Sequence, residues 1–284
     1  MIRLDAATVL LQWAAGGLLF LWVTTRRREV GIGYGWLLRA VYGVLALGAA
    51  AAGLLVDPVP VRDMASLGVA AAATAALAVS VVRRKAGVSG ERARQERKAS
   101  RVAAMAGSAP ATAAPEPPAV REFPPALDVV APLIGLVGLV AAGLAAGGPD
   151  ALAVARTIAG ALFLGAVSDA MLLGHWYLVQ PGLGRGPLLE LNRWLALTWP
   201  LEVGLLLWPT GMLSVLSGSV DDGWNGTLGW FWVACAVTTL ILTVVTKAAL
   251  KERAYSAVMA ATGLLYLAIL TAFGTDLVAR AVLA

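Results

Sequence analysis

The sequence predicts an all-α, polytopic integral membrane protein with about eight transmembrane helices. Apolar residues make up 59% of the 284-residue chain and charged residues only 14%, whereas soluble domains contain roughly 45–50% and about 25% of these classes. The mean hydropathy is +0.78, and the apolar residues are grouped in blocks close to the ~20 residues that cross a bilayer as a helix. These blocks are too long for barrel strands and do not alternate, so helices are expected.

Eight apolar blocks are expected to be the spans, and most are bounded by charged residues or by proline and glycine. They cover approximately residues 7–25, 36–56, 64–82, 127–147, 151–179, 189–217, 227–246 and 254–275. The first block ends in Thr-Thr-Arg-Arg-Arg rather than in small residues suited to cleavage, which indicates a retained span and not a signal peptide. Small residues such as Gly16, Gly17, Gly160 and Gly165 are expected to let the helices approach closely.

The loops between these blocks alternate in charge. Seventeen of the 22 Lys and Arg residues fall in the first, third, fifth and seventh loops, among them Arg26–Arg28 and nine from Arg83 to Arg121. The positive-inside rule therefore predicts a multi-pass protein of the cell (plasma or inner) membrane, with the odd loops cytoplasmic and both termini outside. Arg39 and Arg156 lie a few residues inside their spans, where long side chains are expected to reach the headgroups.

The third loop divides the chain into a three-helix unit (1–82), a cytoplasmic linker (83–126) and a five-helix unit (127–284). The first half of the linker is basic and could extend the third helix into the cytoplasm. Its residues 83–101 could contact anionic lipid headgroups, at roughly 1 kcal/mol per charge. The second half, 106–125, is rich in Ala and Pro and is expected to be a disordered or polyproline-like segment. Because the basic residues lie beside spans, the net charge of +5 indicates lipid and not nucleic acid as the partner.

Two acidic residues lie well inside predicted spans, far from their ends, where an ionisable group invites a functional explanation. Asp169 is near the middle of span five, and Glu202 is two residues after Pro200 in span six. The neighbouring Gly165 and Ala166 share a helical stripe with Asp169, which suggests that this carboxyl faces the bundle. Both acids are candidates for binding and releasing protons near neutral pH. Alternatively, each could be a neutral acid that links two helices by hydrogen bonds.

A second candidate site surrounds the only histidine of the chain. The segment LLGHWYLVQPG (172–182) places His175 at the cytoplasmic end of span five, followed by Trp176, Tyr177 and Gln180, with Arg185 in the next turn. These side chains could converge on a polar headgroup, a quinone carbonyl or a loop of a partner. Trp176 and Tyr177 are also typical of the aromatic belt at a membrane surface. His175 lies on a different face of the helix from Asp169, so a dyad of the two is not expected.

The turn after this segment, GLGRG at 182–186, could present backbone amides to a phosphate, but its spacing matches no nucleotide fingerprint. A single histidine excludes a haem held by two histidines of this chain, and a single cysteine, Cys235, excludes a thiolate-rich metal centre. No cofactor or metal site is therefore expected. The motifs of P-loop nucleotide hydrolysis and of the common hydrolases are also missing from the sequence.

Three functions remain open from the sequence. The first is a non-enzymatic accessory or scaffold subunit of a larger membrane complex, because polar chemistry is sparse and small packing residues are abundant. The second is a proton-coupled transporter of small solutes that uses Asp169 and Glu202. The third is a membrane enzyme, or a quinone or lipid-headgroup site, around His175. A cavity shared by the two carboxyls would favour the transporter, and convergence of His175 with its neighbours would favour the third function.

Overall fold

The computed structural model of the protein describes residues 4–106, 121–180, 182–209, 211–252 and 254–284. This part of the chain is all-helical and contains no strand. Its α-helices are α1 (Ala6–Thr25), α2 (Ile32–Val56), α3 (Pro60–Val82), α4 (Ser89–Met105), α5 (Leu127–Ala145), α6 (Asp150–Val179), α7 (Gly186–Leu207), α8 (Met212–Leu216), α9 (Thr227–Ala249) and α10 (Tyr255–Val282). Within these ranges, seven helices are long and apolar enough to cross a membrane, namely α1, α2, α3, α5, α6, α9 and α10. The predicted all-α polytopic fold is confirmed.

Helix α7 is not among these seven helices. It carries Glu190, Arg193 and Glu202 within its 22 residues. The predicted sixth span of residues 189–217 was wrong in its extent, since α7 ends at Leu207 and the short helix α8 begins at Met212. The expectation of one continuous span failed because the apolar residues on both sides of this break conceal it in the sequence.

The basic half of the predicted linker does not extend α3. Helix α3 ends at Val82, and the chain turns through Gly87, whose φ of +60° lies in the region that favours glycine, before α4 begins. Helix α4 is then docked on the loop between α1 and α2, where the Gly90 amide donates to the Arg28 carbonyl at 3.1 Å. Gly90 lies in the first turn of α4, so the Arg28 carbonyl accepts one of the N–H groups that have no partner within the helix. Residues 107–120 of the Ala/Pro-rich half lie outside the described residues, as do Arg3 and Arg253, two of the basic residues in the charge pattern.

The helices before and after the linker share one buried core. Helix α1 packs against α2 on one side and α6 on another, while α3 packs against α5. The contact of α1 with α6 depends on glycine, because a Cβ on Gly16 would stand 1.9 Å from the Ala161 carbonyl oxygen. Helix α1 is therefore the central element that brings the two predicted helical units together.

The loop before α9 is organised by Asp222. Its carboxylate accepts backbone hydrogen bonds from Trp224 and Gly226 at 2.9 and 2.8 Å, and from Leu228 and Gly229 at 2.9 and 3.3 Å. Desolvation acts to raise the pKa of Asp222, but these N–H donors outweigh it and hold the pKa below its ordinary value. Asp222 therefore caps the amino-terminal end of α9 as an anion.

Candidate functional site

Buried charged residues meet at the end of the bundle that contains the amino-terminal end of α6 and the carboxyl-terminal end of α10. Helix α10 contributes Asp276 and Arg280, one turn apart, and Arg280 Nε donates to Asp276 Oδ2 at 2.7 Å. Helix α7 contributes Glu202 and α6 contributes Arg156. The Glu202 carboxyl interacts electrostatically with Asp276, Arg280 and Arg156. We call Gln12, Arg156, Glu202, Asp276 and Arg280 the carboxyl cluster.

A glycine makes room for this cluster. A Cβ on Gly160 would stand 2.6 Å from Gln12 Nε2, 2.8 Å from Asp276 Oδ1 and 3.2 Å from an Arg280 nitrogen. Gln12 Nε2 donates instead to the Thr157 carbonyl at 2.7 Å. Helices α1, α6 and α10 therefore bring one amide, one carboxylate and one guanidinium to the same point, which a larger residue at 160 would occupy.

Neither carboxyl oxygen of Glu202 has a hydrogen-bond donor among the described residues, although the Asp276 carboxyl is close enough to accept from a protonated Glu202. Its exposed fraction is 0%, and that of Asp276 is also 0%. Asp276 Oδ1 and Gln12 Oε1 are likewise buried acceptors without a described partner. Burying a polar group without a hydrogen bond is costly, and burying an unpaired charge costs much more. The cluster therefore offers several buried acceptors to a proton, or to a donor that the described residues do not supply.

The two arginines of the cluster are already engaged. Arg156 was expected to reach the headgroups, but this prediction was wrong, because the residue is only 3% exposed and its side chain is buried in the bundle. Its guanidinium donates to the carbonyl oxygens of Leu205 and Trp208 at 2.8 and 3.1 Å, at the carboxyl-terminal end of α7. Helix ends leave carbonyl groups without partners, and Arg156 satisfies two of them here. Arg280 is paired with Asp276, so neither guanidinium is hydrogen-bonded to Glu202.

A second set of charges lies between the carboxyl cluster and the end of the bundle. Arg62 pairs with Asp5 and with the neighbouring Asp63, whose Oδ1 accepts from Arg62 Nε at 2.8 Å. A small cavity lined by Asp5, Arg62 and Arg280 joins this set to the cluster. The Asp5 carboxylate also interacts electrostatically with Arg280. Polar side chains thus extend from the end of the bundle inward to Asp276 and Glu202.

Asp169 is buried in a different place. The Tyr42 hydroxyl donates to Asp169 Oδ1 at 2.5 Å, while Asp169 Oδ2 has no partner among the described residues. Thirteen residues of α6 separate Asp169 from Arg156, which corresponds to roughly 20 Å along the helix. The tight contact of Gly16 with Ala161 lies between them. The structure therefore does not bring Asp169 together with Glu202.

The residues around His175 separate into two groups. His175 lies on an exposed face of α6, where its Nδ1 is 3.2 Å from the Tyr266 hydroxyl. Trp176 turns the other way and donates from Nε1 to Gln180 Oε1 at 2.9 Å. The same oxygen accepts the Gly31 amide at 3.0 Å, so Trp176 and Gln180 hold the loop between α1 and α2.

Tyr177 and Arg185 secure the turn that joins α6 to α7. The Tyr177 hydroxyl donates to the Gly184 carbonyl at 2.5 Å. The Arg185 guanidinium donates to the carbonyl oxygens of Leu250 and Ala254 at 3.0 and 2.8 Å, and so connects this turn to the one between α9 and α10. The contacts of Trp176, Tyr177, Gln180 and Arg185 are thus with other parts of the protein, and His175 points away from them.

Sequence reasoning missed Asp276 and Arg280 as site residues. It placed them outside, beyond a span that was expected to end at 275, whereas α10 continues to Val282. Their spacing of four residues would have been a usable signal, because an acid and a base at that spacing share one face of a helix. Arg39 was also assigned wrongly, since its guanidinium is buried and donates to both Asp128 oxygens at 2.8 and 2.7 Å instead of reaching the headgroups.

No protein family model, curated protein or solved structure matches this chain. The described residues contain no group of three or more His, Cys, Asp or Glu residues that could hold a metal ion. The carboxyl cluster is therefore the feature of the molecule from which a function can be inferred.

Proposed function

We propose that this chain is a proton-coupled membrane transporter in which Glu202 and Asp276 form the proton-binding pair. The observation that supports it best is the Glu202 carboxyl, which is completely buried, lies beside a second acid and receives no hydrogen bond from the described residues. An ionised carboxylate in that position would be strongly unfavourable. A bound proton removes the charge and gives Glu202 a hydroxyl that can donate to a neighbouring acceptor.

The surroundings of Glu202 also give a way to couple its charge to a change in shape. When Glu202 loses its proton, it becomes an anion that attracts the guanidinium groups of Arg156 and Arg280. Arg156 holds the end of α7 through Leu205 and Trp208, and a Cβ on Gly211 would stand 3.0 Å from its Nη2 atom. Movement of Arg156 toward Glu202 would therefore release the connection between α7 and α8. Such competition for one cation is a two-state element that a proton can bias.

One of the two acidic residues of the transporter predicted from the sequence is different here. Asp276 takes the place of Asp169, because Asp276 is the acid that neighbours Glu202. The accessory or scaffold subunit and the enzyme or ligand site around His175 stay predictions. The carboxyl cluster supports the transporter best, because it places two buried acids of different helices close enough to share one proton, beside two guanidinium groups that would respond to its loss.

Infrared spectroscopy of the purified protein tests proton binding without knowledge of a substrate. The carbonyl stretch of a protonated carboxylic acid is expected in the wild-type protein, and part of it should be missing in Glu202→Gln. Glu190→Gln is the matched control, because Glu190 lies on the same helix but pairs with Arg26 at 2.5 Å. If Glu202→Gln leaves this band unchanged across the pH range, Glu202 holds no proton and the proposal fails.

Transport is tested in proteoliposomes that contain a pH-sensitive dye. With an inward proton gradient and a panel of small solutes, we expect solute-dependent proton movement by the wild type and by Glu190→Gln. Glu202→Gln should remove most of it, because the amide of glutamine cannot take up or release the proton. Solute-dependent proton movement that persists in Glu202→Gln would contradict the assignment, and its absence from the wild type with every solute would favour the scaffold.

A further inference from the structure

Helix α4 presents four cations on one face. Arg94, Arg97, Lys98 and Arg101 are spaced at i, i+3, i+4 and i+7, which places them side by side along the helix. Like charges at this spacing destabilise a helix instead of stabilising it. Such a face is therefore most stable when an anion lies against it.

This face lines a cavity of about 560 Å³ at the end of the bundle opposite the carboxyl cluster. Arg27, from the loop between α1 and α2, adds a fifth cation to the lining, and Glu29 is the acidic residue among the lining side chains. The volume falls in the range of roughly 300–1,000 Å³ that is usual for small-molecule sites. The cavity is thus large enough for a phosphorylated group and strongly positive.

The guanidinium of Arg94 has N–H groups without an acceptor. Its Nε and Nη1 atoms are buried and have no hydrogen-bond partner among the described residues. A guanidinium presents its N–H groups as a planar fork that matches the oxygen atoms of a phosphate or carboxylate. Buried donors of this kind are normally satisfied, so Arg94 has the geometry of a site that awaits an anion.

The opposite wall of the cavity is the turn from Gly182 to Gly184. Gly182 has a φ of +83°, and Lys98 Nζ reaches to 2.9 Å from where a Cβ on Gly182 would stand. Tyr177 fixes this turn through the Gly184 carbonyl. The turn belongs to the GLGRG segment. Because Gly182 has no side chain, the backbone can adopt this turn and the Lys98 ammonium can lie close to it.

We infer that this cavity binds a phosphate group, with Arg94 and Lys98 as its principal ligands. The phosphate could belong to the headgroup of an anionic lipid or to a small soluble phosphate, since both offer the same oxygen acceptors. Arg97, Arg101 and Arg27 add long-range attraction. The site uses different residues from the carboxyl cluster, so phosphate binding and the proposed transport function can be tested independently of each other.

The test measures thermal unfolding of the full-length protein in detergent. One arm adds inorganic phosphate, with chloride at the same ionic strength as its control. The other arm adds phosphatidylglycerol to the micelles, with phosphatidylcholine as its control. At least one anionic probe should raise the Tm, because a ligand that binds only the folded state stabilises it. A rise with phosphate indicates a soluble phosphate, and a rise with phosphatidylglycerol alone indicates a lipid headgroup.

Two double variants of equal charge decide whether the cavity is responsible. Arg94→Gln/Lys98→Gln should weaken the apparent affinity for the stabilising probe about ten-fold or more, as expected when charge-assisted hydrogen bonds are removed. Arg84→Gln/Lys85→Gln, which changes two exposed cations outside the cavity, should leave it unchanged. Should Arg94→Gln not fold, Lys98→Gln alone at its exposed position should still weaken binding. Equal loss in both double variants, or no rise in Tm with either probe, would overturn the inference.

Discussion

Asp169 and Glu202 are both completely buried carboxyls, but their immediate partners differ. Asp169 receives the Tyr42 hydroxyl, whereas Glu202 has no donor in the described part of the chain. A carboxyl that is held by one neutral hydroxyl inside a packed core is best explained as a structural link between α2 and α6. The Glu202 carboxyl lies beside a second acid and two engaged arginines, which is the environment on which the proposed proton binding depends. The two carboxyls therefore differ because a hydroxyl of a neighbouring helix donates to Asp169, whereas no such donor in the described part of the chain reaches Glu202.

Tyr42→Phe tests the structural interpretation of Asp169. The substitution removes the hydroxyl that donates to Asp169, so a buried acceptor loses its partner, which costs about 1–3 kcal/mol of the free energy of unfolding. Thermal unfolding in detergent should therefore show a clearly lower Tm. Tyr266→Phe is the control, because it removes a hydroxyl that contacts the exposed His175. An equal change in Tm for the two variants would contradict this role of Asp169.

At the scale of elements, the contact between α1 and α6 is the central packing interaction of the bundle. Gly16 and Gly165 face each other, and a Cβ on Gly165 would stand 2.3 Å from the carbonyl carbon of Gly16. Trp13 adds a hydrogen bond from its Nε1 to Ser168 at 2.9 Å. Within a bilayer, helices associate mainly through close packing and hydrogen bonds of this kind, because lipid tails are as apolar as the side chains.

Gly16→Ala should therefore destabilise the bundle. The added methyl group would overlap the Ala161 carbonyl and push α1 away from α6, and overpacking of this kind costs about 1–3 kcal/mol. Gly263→Ala is a matched control within α10, where a Cβ would meet nothing within 4 Å. That change should be neutral or stabilising, by up to about 1 kcal/mol, since alanine favours helix more than glycine does. Equal Tm values for the two variants would show that α1 and α6 are less closely packed than the structure indicates.

Across the whole molecule, the basic loops lie together at one end of the bundle, and the more acidic loops and the termini lie at the other end. Arg26 of the first loop contacts Glu190 at the start of α7, and Arg28 contacts Glu122 before α5. At the other end, Asp5 pairs with Arg62, next to Arg280 of the last helix. This arrangement agrees with the alternation of loops on which the positive-inside rule was applied. The side that each end occupies in the cell stays a prediction.

Cysteine labelling tests this orientation. Cys235→Ala removes the native thiol, and Ser89→Cys and Ser217→Cys then place one exposed thiol at each end of the bundle. In intact cells, a membrane-impermeant maleimide should label Ser217→Cys but should label Ser89→Cys only after the membrane is broken. The reason is that α4 and its neighbouring loops carry most of the basic residues. The reverse pattern of labelling would show that both termini are cytoplasmic.

The amino-acid sequence was sufficient to predict an all-α, multi-pass membrane protein, because apolar blocks of bilayer length leave the backbone no alternative to helices. It also singled out Glu202 as an unusual buried acid, because a charged residue in an apolar run needs no structure to be noticed. The packing of the helices was needed to show that Asp276, and not Asp169, lies beside Glu202, and that Arg39 and Arg156 are buried with polar partners. Helical periodicity fixes which face of one helix a residue occupies, whereas the partner on another helix depends on which small residues allow the two backbones to meet.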